Sequence, residues 1–110
     1  MPVFMLNGMV TGRSAAVARA DRLAIDYIEI EEQGGAHRRL NNVCAAREVA
    51  SILKIGASGR FFFRDIGSIN RLLGIERADG VHAFDLADAT VASLQRYVER
   101  VPEGGPSGRA

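Results

Sequence analysis

Arg60-Phe61-Phe62-Phe63-Arg64, then Ile69 to Arg77, then Asp79-Gly80, then Val81 to Leu86, is the stretch that decides the fold. Three consecutive aromatics suit a pleated, half-buried surface, so this run reads as a strand. Alternation puts Phe61 and Phe63 on one face and Phe62 on the other. Ile69, Arg71, Leu73, Ile75 and Arg77 then recur with a period of two and form one face of a second strand. Asp79-Gly80 is a hairpin signal, because a two-residue turn needs positive φ and glycine adopts it freely. Three strands result, the last two joined by a tight turn.

Working outward, Val3 to Thr11 is apolar with little alternation, as in a strand covered on both sides. Gly12 to Ala20 is open between two forms: a helical turn through Ala15, Ala16 and Val17 capped by Ser14, or a loop of small residues. In Arg22 to Glu32, Leu23, Ile25 and Tyr27 alternate with polar or small residues, and then Ile28 and Ile30 take the opposite phase. A strict period of two cannot hold all five on one face, so a β-bulge or sharp bend is expected near Tyr27-Ile28. Gln33-Gly34-Gly35 marks a turn, and His37 to Val43 a further strand. Ala45 to Ile55 reads as a helix with Ala45, Val49, Ile52 and Leu53 on one stripe and Gly56 as its C-cap. A last helix opens at Asp85 and Asp88, carries Val91, Leu94, Val98 and Val101, and stops at Pro102. Residues 1–102 thus form one domain, followed by a mobile tail over 103–110.

The order strand, bulged strand, strand, helix, strand, strand resembles the OB fold, a five-stranded barrel with a helix between its third and fourth strands. The resemblance covers about residues 3 to 86 and rests on element order, with no sequence motif behind it. It implies a mainly β chain with two helices, forming an OB-like small barrel. The competing architecture is α+β, one antiparallel sheet with both helices on one face.

The 110 residues fit one domain, and 47% apolar with 25% charged is average for a globular protein. A chain of this length buries roughly two-thirds of its unfolded surface without a metal or disulfide. The formal charge of +1 carries little information about partners. The positive residues are nearly all arginine, Lys54 being the lone lysine. Arginine suits bidentate phosphate recognition, but codon usage in a GC-rich bacterial genome is the plainer explanation. Cys44 is the single cysteine, which fits a reducing compartment. No stretch approaches the ~20 apolar residues of a membrane span, and Met1 to Leu6 lacks a basic region, so a cytoplasmic location is expected.

Candidate chemistry is sparse. His37, His82 and Cys44 lie in separate elements without metal-ligand spacing. At the start of the expected helix, Cys44 is a small buried residue or, less simply, a thiol with a lowered pKa. Asp26, Glu29, Glu31 and Glu32 alternate as a solvated face does, although paired carboxylates also serve acid–base chemistry. Gly56-Ala57-Ser58-Gly59-Arg60 lacks the Lys-Ser/Thr of a phosphate loop. The sharpest feature is the aromatic run between Arg60 and Arg64. On an open sheet, Phe62 would stack bases while Arg38, Arg39, Arg60 and Arg64 held phosphates. In the plainer reading Phe61 and Phe63 are core and Phe62 packs under a helix or at a subunit contact. The reading that follows is a small non-enzymatic binding or assembly module without a cofactor, forming a homo-oligomer through apolar surface such as that of Val3 to Thr11. The alternatives are a single-stranded nucleic-acid binder and an enzyme whose groups converge only in three dimensions.

Overall fold

A computed structural model describes residues 3–19 and 22–85. Seven strands and one helix follow in chain order: β1 (Val3–Arg13), β2 (Ala16–Arg19), β3 (Arg22–Glu32), β4 (His37–Ala46), α1 (Arg47–Ser51), β5 (Ser58–Ile66), β6 (Ile69–Arg77) and β7 (His82–Phe84). They form one sheet in the order β1-β5-β6-β4-β3-β2, with β7 on β6 and β1 also paired to β3. The hydrogen-bonded path therefore returns to its start through β1, β5, β6, β4 and β3. All pairings are antiparallel except β4 with β6.

The mainly β character holds, with strand over 70% of the described residues, but those residues carry a single short helix and not two. The one described helix has five residues. Where a helix was expected from Ala45, β4 continues to Ala46, because Val43, Cys44 and Ala45 pair with Asn70, Arg71 and Leu72 of β6. Ala46 has no side chain able to cap the helix start, and a helix this short is held by packing alone. Its last turn is finished by arginines: Arg13 donates to the Leu53 carbonyl at 2.6 Å and Arg77 to that of Ile52 at 3.4 Å. The molecule is therefore described as a seven-stranded sheet with a helical turn, rather than as the two-helix OB-like barrel expected from element order. The α+β alternative fails with it, since the described residues hold a single short helix, and β4 pairs with β6 in parallel. The expected C-terminal helix and the tail over 103–110 lie outside the described residues.

Gly12 to Ala20 is neither helical turn nor loop. Ala16 to Arg19 pairs with Ile25 to Arg22 as β2. Ser14 makes the joint between β1 and β2: its amide donates to the Tyr27 carbonyl at 3.1 Å, and its Oγ accepts from the Asp26 and Tyr27 amides at 2.8 and 3.3 Å.

The main core takes Leu6 and Val10 from β1, Ile25, Ile28 and Ile30 from β3, Leu40, Val43 and Ala45 from β4, and Phe61, Phe63, Leu72 and Ile75 from β5 and β6. Val49, Ala50 and Leu53 close it from α1 and the turn after it. Burial of Phe61 and Phe63 follows the alternation in the sequence. A second cluster lies on the opposite face of the sheet, where Phe62 and Leu73 are buried beneath Val3, Met5 and Phe84. Gly74 makes room for this lid: a Cβ there would lie 2.3 Å from Cδ1 of Phe84. Two further glycines let strands approach closely. Gly8 and Gly59 face each other across β1 and β5, and a Cβ on either would lie 2.2 Å from a neighbouring strand's carbonyl oxygen.

Candidate functional site

β4 carries Arg38 and Arg39, and β5 carries Arg60, Phe62 and Arg64. β4 meets β6 only over Val43 to Ala45, so Arg38 and Arg39 lie at its far end, opposite Ile30 and Glu29 of β3. The five candidate residues thus form two separate groups.

In the β5 group, alternation places Arg60, Phe62 and Arg64 on one face. Phe62 is only 1% exposed, and its ring lies 6.3 Å from that of Phe84 at 50°. It is part of a packed cluster and offers no open face to a base. Arg60 pairs with Glu76 at 2.8 Å, and Arg64 lies opposite Arg71 of β6.

In the β3–β4 group, Tyr27, Glu29 and Glu31 stand across from Asn41, Arg39 and His37 on the outward face. Ile28, Ile30 and Leu40, between them, are buried in the core behind. The Arg39 guanidinium lies 4.0 Å from the centroid of the Tyr27 ring. It donates through Nη1 to Glu29 at 2.8 Å and through Nε to Oδ1 of Asn41 at 3.2 Å. Ring, carboxylate and amide together fix its plane. Arg38 pairs with Glu32 at 3.3 Å near the hairpin tip. A shallow cleft of about 260 Å³ is lined by Glu29, His37, Arg38 and Arg39.

The Gly56–Arg60 turn is spent on structure. The Gly56 amide donates to the Val10 carbonyl at 2.8 Å, the Ala57 carbonyl accepts from the Val10 amide at 2.9 Å, and the Ala57 amide is bound to Lys54. These amides are not gathered toward an anion. Beside the turn, Asp79 accepts from Arg77 and from the Val81 amide, and the Arg77 hydrogen bond is the chief cause holding its carboxyl below the usual value. Cys44 lies within β4, half-buried, so the expected position at a helix start does not arise. No group of three or more His, Cys, Asp or Glu side chains among the described residues is placed to hold a metal ion. Among the same residues, no helix is long and apolar enough to cross a membrane.

Asp85 has a role that its sequence context did not indicate. Expected to open a helix, its side chain is 3% exposed and accepts from Arg22 of β3 at 2.6 Å, with Arg71 of β6 at 3.9 Å. Its amide donates to the Leu73 carbonyl at 2.7 Å. An acidic residue closing an apolar run was the only local signal, and it is equally a helix-start signal.

No family model, curated protein or solved structure matches this chain.

Proposed function

We propose that the protein is a non-enzymatic binding and assembly module that recognises protein surfaces. The observation that carries this is charge matching on the sheet. Arg38, Arg39 and Arg60 are each paired with a carboxylate on a neighbouring strand, Glu32, Glu29 and Glu76. Such exposed pairs add little stability, about 0–1 kcal/mol each. Their effect is to leave a surface of alternating sign without a continuous basic track, which suits a polar protein interface better than a phosphate backbone. Element order and the returning path of strand pairings support a kinship with OB-fold proteins, with α1 between β4 and β5, the third and fourth of the five path strands in chain order. In that fold the second and third strands carry the binding face, which corresponds here to the outward face of β3 and β4. The lone Cys44 supports a reducing compartment such as the cytoplasm.

A single-stranded nucleic-acid reading has one observation in its favour, the guanidinium of Arg39 held over the Tyr27 ring at 4.0 Å, since a guanidinium plane can stack bases. Amide chemical shifts of isotope-labelled protein decide between the two. Low-salt titration with a mixed-sequence single-stranded oligonucleotide should leave the shifts unchanged. Movement of the Tyr27, Arg39 and Asn41 signals on adding it would replace the protein-binding reading with the nucleic-acid one.

A further inference from the structure

We propose that the outer edge of β2 pairs with β2 of a second copy, antiparallel about a two-fold axis through Val17. The inference rests on the assembly reading and names its partner. β2 stands at the end of the strand order and pairs only with β3 among the described residues. Exposed edges are usually blunted by short length, charge, proline or a bulge. β2 is short and ends in Arg19, but Ala16-Val17-Ala18 carries no charge, proline or bulge, and Val17 is 54% exposed.

Charge complementarity sets the register. Neither Arg19 nor Asp26 takes part in an ion pair among the described residues, and both are exposed. Arg19 instead stands across from another arginine, Arg22. Within one copy the two cannot meet, because Asp26 lies four residues beyond Arg22 along β3, about 13 Å away. A two-fold axis at Val17 changes this. Val17 then meets Val17 of the second copy, and Arg19 of the second copy falls opposite Ala15. Ala15 itself lies opposite Asp26, because the β2–β3 register runs from Ala16↔Ile25 to the Ser14–Tyr27 hydrogen bond. Arg19 of one copy, Ala15 and Asp26 thus form a row on one face, with only a methyl group between the charged ends. The two strand spacings across that row come to about 9.6 Å, a span that two extended side chains cover. The symmetry makes the ion pair twice. Four residues of edge bury less than the about 1,000 Å² of a stable interface, so the dimer is weak and concentration-dependent.

Sedimentation velocity over a concentration series of the full chain tests this. The unaltered protein should show a reversible monomer–dimer equilibrium. Arg19→Asp and Asp26→Arg should each weaken it by about tenfold or more, because both symmetric pairs become like-charge contacts. An equimolar mixture of the two variants should regain the dimer, since each copy then supplies what the other lacks. Val17→Arg, on the axis, should abolish it. All three positions are exposed, and unchanged circular dichroism confirms the fold of each variant. A monomer at every concentration overturns the proposal, as does a dimer indifferent to these substitutions. Neither result touches the protein-binding reading, which the oligonucleotide titration tests separately.

Discussion

The hairpins β3–β4 and β5–β6 both change which side of the strand faces the core partway along, and they do it differently. In β5–β6 the register shifts: Phe62 pairs with Gly74 and Phe63 with Leu72, leaving Leu73 as an extra residue. Leu72 and Ile75 face the main core, and Leu73 turns to the other face beside Phe62. In β3–β4 no register shift occurs. Ile25↔Val43 gives way to Tyr27↔Asn41, skipping Asp26 and Asn42, and both strands change phase together. Asn42 takes positive φ at 54°, and Ser14 holds the Asp26 and Tyr27 amides. A one-sided bulge lets β5–β6 serve two apolar clusters. The two-sided bend keeps β3–β4 on one core and leaves its outward face polar.

The comparison can be broken most sharply at its best-buried point. Phe61→Ala, in the main core, should cost about 3–5 kcal/mol in urea unfolding. Leu73→Ala, in the smaller cluster, should fall at the low end of the about 2–5 kcal/mol range for such truncations. Equal costs would mean that the second cluster matters as much as the first. At the bend, Asn42→Ala should destabilise by about 1–2 kcal/mol, since alanine tolerates positive φ poorly, and Asn42→Gly by less. Ser14→Ala should cost about 1 kcal/mol and speed hydrogen exchange at the Asp26 and Tyr27 amides, leaving β5–β6 protection unchanged. The smallest effect concerns the β6–β7 turn. Because the folded Asp79 carboxyl titrates below its ordinary value of 3.8, its contribution is complete above that pH and is lost as pH falls through the lower folded value. Asp79→Asn should remove that portion of the acid sensitivity, read as the difference between the two proteins' pH–stability curves.

The two phase changes were unequally legible. That of β3 is written in its residues, because Ile25 and Ile28 are both large and lie three apart. The bend sits at Asp26, close to where the pattern placed it. In β6, an arginine at Arg71 and an apolar residue at Leu73 fitted one alternating face, so four consecutive buried positions from Leu72 to Ile75 were not foreseen. β2 was missed because alanine and serine carry no period, and only pairing with Arg22 to Ile25 makes it a strand. The helix was overextended because Ala45 and Ala46 suit helix and strand alike, and the parallel contact with β6 decides between them. For the candidate site, the residue types were visible but their neighbours were not. Nothing local says that Phe84 covers Phe62, or that Glu29 and Tyr27 fix Arg39.

The clamp at Asp85 determines how the sheet bears load. A pull on the backbone after this residue does not peel β7 from its edge alone. The carboxylate passes the force through Arg22 into β3 and, on the other flank of β4, toward Arg71 of β6.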